Sequence, residues 1–250
     1  MFLTRTLNVI TDAVLAVIYP QACTLCGASV ESRTLGVACG PCWSNTRLFT
    51  DDEVVCWKCG AAAVGATPDQ NPEQILCRRC NQELFTSARA CGAYQGALRA
   101  SVLALKSQPH ISGHLVELLL HTRNREPLHR ASRVIPVPLH PERQKLRGFN
   151  QAAVIAREVT RHTALPFDEV SLVRISHSER HRAGMDARGR RETVAGAFLV
   201  RHPLLIAGER ILLIDDVFTT GATASACAEA LLQSGASEVF VLTIARVLPM

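Results

Sequence analysis

The chain has 250 residues, of which 48% are hydrophobic and 20% are charged, so it can bury a sizeable core and is not globally disordered. Its formal net charge of +5 is unevenly distributed, because basic residues crowd into two stretches. This asymmetry suggests an anionic ligand, although an ordinary solvated basic face is the alternative. Aromatic residues make up only 5%, which leaves few side chains for stacking on nucleobases.

Residues 1–20 predict one amphipathic helix that ends at Pro20. Asn8 and Asp12 interrupt its apolar run, so it is too short and too polar for a membrane span, and it has no small-residue cleavage site. We expect this helix to pack on its own protein in the cytoplasm. Its apolar residues recur at helical spacing: Leu3, Leu7, Ile10, Val14 and Val17.

Eight of the ten cysteines lie between residues 23 and 80, in four pairs that are each separated by two residues. This spacing lets both sulfurs of a pair face one ion, and the longer gaps let a second pair close a tetrahedral site. The pattern predicts a double zinc-ribbon-like segment over residues 21–88 with about two structural Zn²⁺ ions. The predicted ligands are Cys23, Cys26, Cys39 and Cys42 for one ion, and Cys56, Cys59, Cys77 and Cys80 for the other.

Other uses of these cysteines stay open at this point. The pairs could be interleaved between the two sites, and iron–sulfur or redox dithiol chemistry uses similar spacings. A disulfide framework would need an oxidising compartment, and a reducing one fits better because nothing directs the chain outward. Cys91 and Cys227 lack paired partners and are predicted to be small buried side chains.

From about Tyr94 onward, apolar runs alternate with helical patterns, which predicts an α/β domain over residues 89–250 with a parallel sheet and crossover helices. The predicted strands are Arg133–Val137, Val170–Val173, Ala197–Val200, Ile211–Ile214 and Val239–Ile244. The predicted helices are Ala97–Lys106, Gly113–Arg123, Gln151–Arg161 and Ala222–Ser234.

The stretch Ile211–Thr223 predicts an anion site, because an apolar strand ends in Asp215 and Asp216 and then enters a helix through a polar loop. Hydroxyls and free amides of that loop meet the positive end of a helix dipole, which favours phosphate. The two carboxylates can accept hydrogen bonds from a diol or hold a metal ion, so the pattern describes a ribose 5-phosphate pocket. The alternative is that these groups only cap the strand and the helix. The phosphate-binding candidates are Thr219, Thr220, Gly221, Ala222 and Thr223.

The run Asp215-Asp216-Val-x-Thr-Thr-Gly-x-Thr resembles the motif with which type I phosphoribosyltransferases bind 5-phosphoribosyl-1-pyrophosphate (PRPP). Together with the cysteines and with Pro136-Val-Pro-Leu-His-Pro-x-Arg143-x3-Arg147-Gly-Phe-Asn-Gln151, it makes the chain similar to the ComF competence-protein family over essentially its full length. The resemblance implies a type I phosphoribosyltransferase-like parallel sheet flanked by helices, preceded by a small zinc-ribbon domain. It also implies PRPP with Mg²⁺ as ligand, a transferase reaction and a role in DNA uptake.

The resemblance assigns roles to particular residues. It places Arg143 and Arg147 in the loop that receives pyrophosphate, and their guanidinium groups suit that anion. Its candidate catalytic residues are Asp215, Asp216 and Lys106.

The basic stretch Arg174–Arg191 resembles the loop that closes over the ligand in this family and excludes water. The chain departs from the family pattern there at Glu179, Arg182 and Thr193. It also departs after Lys106, where Ser107–His110 replace an aromatic residue and a Gly-Asp pair. These departures concern the catalytic step more than phosphate binding.

The sequence is therefore compatible with two classes of function. In the first, the chain is a phosphoribosyltransferase-like enzyme whose acceptor the sequence does not identify. In the second, the same anion site and the arginines serve as a scaffold without transferase activity that binds single-stranded DNA or docks other competence proteins. The stacking candidates for that second class are Trp43, Trp57 and Phe149.

Overall fold

The computed structural model describes residues 21–63, 65–67, 69–80, 82–175 and 196–248. The predicted helix over residues 1–20 lies outside them, as do residues 176–191 of the basic stretch and its departures at Glu179, Arg182 and Thr193. In the described part of the chain, no helix combines the length and the apolarity needed to cross a membrane.

Four parallel strands form the main sheet: β1 (Ser87–Ala93), β2 (Arg133–Pro136), and two longer strands, β5 (Arg210–Phe218) and β6 (Glu238–Arg246). Their spatial order is β1-β6-β5-β2. Both Ala93 and Phe218 lie opposite Arg246, so the carboxyl ends of three strands meet at one edge of the sheet. Parallel sheets of this kind bind ligands at that edge.

Helices cover both faces of the sheet, because alternate residues of each buried strand point to opposite sides. Leu212 and Ile214 of β5 face a core that includes α2 (Gly96–Ala104), α3 (Gly113–Arg123) and α5 (Gln151–Arg161). Ile211 and Leu213 face the other core, which includes α6 (Ala222–Gln233). The cysteines between residues 23 and 42, which we call the first cysteine group, contribute to the core that contains Leu212 and Ile214. Those between residues 56 and 80, the second cysteine group, contribute to the core that contains Ile211 and Leu213. The short helix α1 (Gly40–Ser44) lies within the first group, and 3₁₀ turns occupy Arg33–Leu35, Pro72–Gln74, Arg78–Cys80, Leu128–Arg130 and Pro203–Leu205.

The predicted fold class, an α/β parallel sheet flanked by helices behind a zinc-ribbon segment, is confirmed. The helices and strands predicted for the α/β part are present: Gly113–Arg123 and Gln151–Arg161 have the predicted bounds, and the others have shifted ends. The helix predicted to reach Lys106 stops at Ala104, and the strand predicted to stop at Ile214 continues to Phe218. The predicted start of the second domain at residue 89 stays a prediction, and β1 begins at Ser87.

Two of the predicted strands lie outside the main sheet. Strands β3 (Leu172–Arg174) and β4 (Phe198–Val200) pair with each other in an antiparallel ribbon. The pairing continues one step beyond β3, where the amide of Ile175 donates to the carbonyl oxygen of Ala197 at 2.9 Å.

Among the described α-helices and strands that follow the cysteine-rich segment, two were not predicted. Strand β1 consists mostly of small residues with Arg89 in its middle, so it lacks the apolar run that marks the other buried strands. Helix α4 (Pro141–Arg147) lies inside the stretch that the sequence reading treated as a loop. It begins with proline and ends at Gly148, whose φ of 80° is left-handed, and these residues are typical helix boundaries.

The cysteine-rich segment covers the outer edge of β1. The amides of Ala88 and Ala93 donate to the carbonyl oxygens of Lys58 and Arg47 at 2.7 and 2.9 Å. At Gly92, the backbone of Arg47 approaches so closely that a Cβ atom would lie 2.3 Å from its carbonyl oxygen. Glycine is therefore required here, and the edge strand has partners on both sides.

Candidate functional site

Two groups of four cysteines each bring their sulfurs within 4.8 Å of one another: Cys23, Cys26, Cys39 and Cys42 form the first tetrad, and Cys56, Cys59, Cys77 and Cys80 form the second tetrad. The pairs are therefore grouped in chain order and not interleaved. The Sγ atoms of Cys26 and Cys39 are 3.6 Å apart, and those of Cys59 and Cys77 are 3.8 Å apart. Four sulfurs at about 2.3 Å from one ion in a tetrahedron are about 3.8 Å apart, so both tetrads fit Zn²⁺.

The second tetrad has two buried arginines beside its first cysteine pair. Arg89 on β1 donates from Nη1 to the carbonyl oxygen of Trp57 at 2.9 Å. Arg246 on β6 donates from Nη1 to the carbonyl oxygen of Cys59. Burial lowers the pKa of Arg89 to about 10, which still leaves it charged at neutral pH. Neither arginine was predicted to lie at this site, because each is a single cation in a buried strand.

The strand-end loop, residues 215–223, leads from the end of β5 into helix α6, as the sequence predicted. Strand β5 carries Asp215 and Asp216 at its carboxyl end, and the backbone amide of Asp216 donates to Oδ1 of Asp215 at 2.9 Å. Gly221 precedes α6 with a left-handed φ of 86°, which lets the chain turn sharply into the helix. Thr220 supports that turn, because its Oγ1 accepts a hydrogen bond from the amide of Ala222 at 3.4 Å.

A small cavity of about 30 Å³ lies at this loop, between the ends of β5 and β6 and the first turn of α6. Thr243 of β6 also lines the cavity, although it was not predicted. The sequence feature that could have indicated it is a single hydroxyl side chain within the apolar run Val239–Ile244. The predicted residues that the structure brings together around this cavity are Asp215, Thr219, Gly221 and Thr223.

The remaining candidates occupy other places. Lys106 lies two residues past the end of α2 and is exposed. Arg143 and Arg147 lie one turn apart on the exposed helix α4. None of these three lines the small cavity, and neither do Asp216, Thr220 and Ala222 of the strand-end loop itself.

Helix α4 is nevertheless attached to the same edge of the sheet. The amide of Val137, just after β2, donates to the carbonyl oxygen of Ile214 at 2.8 Å, directly before Asp215. Asn150 then donates from Nδ2 to the carbonyl oxygen of Val137 at 3.0 Å, and its Oδ1 caps α5. The segment that carries Arg143 and Arg147 therefore begins and ends beside the end of β5.

Cys91 and Cys227 are buried as predicted. Burial raises the pKa of Cys91 to about 12, and burial together with the nearby Asp215 carboxylate raises that of Cys227 well above its usual range. Because the thiolate is the reactive form, we expect neither thiol to react with Ellman's reagent in the native zinc-loaded protein at about pH 8. The Cys91→Ala/Cys227→Ala variant should give the same native time course as the wild type. A fast phase that disappears in this variant would contradict the burial of these thiols.

The fold and the tetrads define a class: an α/β protein with two structural four-cysteine zinc sites in front of a parallel sheet. A family model described as "Double zinc ribbon domain" matches residues 14–80. The chain is 29% identical to the DNA utilization protein YhgH of Escherichia coli O157:H7 over 237 residues, which cover 92% of this chain and 98% of that protein.

Two competence proteins are also similar to the chain. Competence protein ComFC of Bacillus subtilis is 25% identical over 92% of this chain and 96% of its own length. Competence protein F of Haemophilus influenzae is 34% identical over 114 residues, which cover 45% of this chain and 49% of that protein. These relatives confirm the resemblance to the ComF family.

Among solved structures, glutamine PRPP amidotransferase from B. subtilis, complexed with ADP and GMP, matches with a TM-score of 0.38 and 19% identity. The match covers 57% of this chain and 30% of that one. A purine phosphoribosyltransferase from Pyrococcus horikoshii matches with a TM-score of 0.30 and 13% identity, covering 60% of this chain and 81% of that one.

Proposed function

We propose that the chain binds a phosphorylated ribose such as PRPP, together with Mg²⁺, at the strand-end loop. One observation carries this proposal: the end of β5 places Asp215 and the threonine-rich turn around one cavity at the amino end of α6. A phosphate at the turn would meet amides and hydroxyls at the positive end of the helix dipole. The ribose hydroxyls or the Mg²⁺ ion would then lie beside the two carboxylates.

The second half of the proposed ligand, the pyrophosphate, would lie toward α4. Arg143 and Arg147 are exposed cations on one face of that helix, and guanidinium groups match phosphate oxygens well. Mg²⁺ would neutralise part of the charge on the leaving pyrophosphate while a nucleophile attacks the anomeric carbon of the ribose. We propose Asp215, Asp216 and Lys106 as the residues that serve this transferase-type step.

The relatives suggest the biological setting of this activity. One is named for DNA utilization and two for competence, so we propose that this chain acts in the cytoplasm on material from DNA uptake or its reuse.

A scaffold that binds single-stranded DNA is the second candidate, and helix α4 favours it. The helix has no buried residue and carries Arg143, Lys145 and Arg147 beside Leu146, which is 90% exposed. An exposed basic helix of this kind can follow a phosphate backbone, and its affinity would fall steeply with salt.

Calorimetric titration of the zinc-loaded protein with PRPP and Mg²⁺, followed by a single-stranded oligonucleotide, separates the two candidates. We expect saturable PRPP binding near one equivalent. Salt-sensitive oligonucleotide binding without any PRPP binding would reject the phosphoribose proposal and favour the scaffold. Failure of both ligands to bind would reject both candidates.

A further inference from the structure

Arg246 connects the second tetrad to the strand-end loop. It is the last residue of β6 and is only 6% exposed. Besides its hydrogen bond to the carbonyl oxygen of Cys59, its guanidinium carbon lies 5.2 Å from the centre of the Phe218 ring. That distance is typical of a cation–π interaction. Phe218 ends β5 and precedes the threonine turn, so one buried cation contacts both sites.

The position of Phe218 is fixed from several directions. Its carbonyl oxygen accepts a hydrogen bond from the amide of Val247 at 2.9 Å. Its ring meets the Phe85 ring edge-on, with centroids 5.8 Å apart and an interplanar angle of 87°. Arg246 covers the ring as well, so a displaced Arg246 would leave Phe218 with a changed environment at the entrance to the loop.

The chain that leaves the second tetrad makes a second set of contacts with the loop. The amide of Leu84 donates to Oγ of Ser225 in the first turn of α6 at 2.9 Å. A Cβ atom on Gly221 would lie 3.4 Å from both Glu83 Oε2 and Phe85 Cε1, and 3.0 Å from Phe218 Cζ. Residues 83–85 therefore pack directly against the turn that is proposed to hold phosphate.

A zinc-loaded second tetrad and the buried Arg246 would carry opposite charges. Four thiolates on one Zn²⁺ ion leave a net charge of about −2, and buried charge of this size needs compensation. Arg89 and Arg246 supply two buried cations to the first cysteine pair of the second tetrad. In the described residues, the first tetrad packs instead beside α2 and α3, where Thr46 Oγ1 accepts from the amide of Ala97 at 2.9 Å and Trp43 meets His114 at 4.6 Å.

We infer that Arg246 is a positioning residue through which the metal-loaded second tetrad sets the geometry of the strand-end loop. The hydrogen bond to the Cys59 carbonyl oxygen ties the guanidinium to the turn that would hold Zn²⁺, and the guanidinium in turn packs on Phe218, directly before the threonine turn. The effect on ligand affinity rests on the proposed phosphoribose function. The effect on the loop itself does not depend on any ligand.

Arg246→Met tests this inference, with Arg89→Met as its matched control. Both variants remove one buried cation that contacts the same cysteine pair, but only Arg246 also contacts Phe218. We expect Arg246→Met to raise hydrogen exchange at the amides of residues 219–223 by about tenfold, because the loop loses its support. PRPP affinity should fall by about tenfold. Arg89→Met should leave both quantities near wild type, and Arg246→Lys should restore part of the loss.

Zinc content must be measured on each variant, so that loss of the metal is separated from loss of the contact. If Arg246→Met does not fold, Phe218→Leu removes the ring contact and leaves the Cys59 hydrogen bond, and it should show the same increase in exchange. Unchanged exchange in a folded variant would overturn the inference. If the wild type binds no PRPP, the phosphoribose proposal fails, while the exchange experiment still decides whether the coupling exists.

Discussion

Replacing Asp215 and Asp216 together with alanine is expected to abolish PRPP binding and to leave the zinc content unchanged. The proposed ligand would lose two charge-assisted hydrogen bonds or two metal contacts at the end of β5. At about 1.5–3 kcal/mol for each such bond, the affinity should fall by about 100-fold or more. Calorimetric titration with PRPP and Mg²⁺ measures the change, and metal analysis measures the zinc.

The chain offers a close control for this double variant. Asp51 and Asp52 are another adjacent aspartate pair, and Asp51 pairs with Arg125 at 2.7 Å, away from the strand-end loop. Replacing them with alanine removes the same formal charge, so PRPP affinity should stay near the wild-type value. The Asp215→Asn/Asp216→Asn variant keeps the side-chain shape and should lose binding as the alanine variant does. Full PRPP affinity in both variants at Asp215 and Asp216 would show that the ligand site lies elsewhere.

Replacing Cys56 and Cys59 with serine is expected to lower the bound zinc from about two ions to about one and to destabilise the second cysteine group. A structural site of this kind folds with its metal, so its loss removes several kcal/mol of support from the segment. Metal analysis and denaturant unfolding measure the two effects. The matched variant, Cys23→Ser/Cys26→Ser, should also lose about one ion.

The two cysteine variants should differ at the ligand site. The second tetrad contacts the strand-end loop through Arg246 and residues 83–85, whereas the first packs beside α2 and α3. PRPP affinity should therefore fall further in the Cys56→Ser/Cys59→Ser variant than in its counterpart. Unchanged zinc content in either variant would contradict the assignment of that tetrad.

The features that could be predicted from the sequence are those encoded within one short stretch of the chain. Paired cysteines two residues apart revealed both metal sites, because the ligand geometry is built into each turn. The run from Ile211 to Thr223 revealed a strand, two carboxylates and a helix start in one continuous stretch. The structure adds the register between β5 and β6, which places Thr243 opposite Asp215.

Features that depend on distant contacts could not be predicted in the same way. Strand β1 requires glycine at position 92 because residues 47 and 48 pass directly over it, and only the folded chain shows that approach. Arg246 is separated from Cys59 by 187 positions, so nothing local indicates that it contacts a zinc-binding turn. The grouping of the cysteines in chain order was predicted, but the spacing alone left interleaved pairs open, and the folded structure decides between the two arrangements.

The cover over β1 also occupies an edge that could otherwise pair with another chain. An uncovered edge strand offers free amides and carbonyls to any other chain, and this is a common route to aggregation. Here the amides of Ala88 and Ala93 are capped by the cysteine-rich segment, whose own folding depends on metal. We therefore expect removal of zinc by a chelator to uncover this edge and to promote self-association, which light scattering measures.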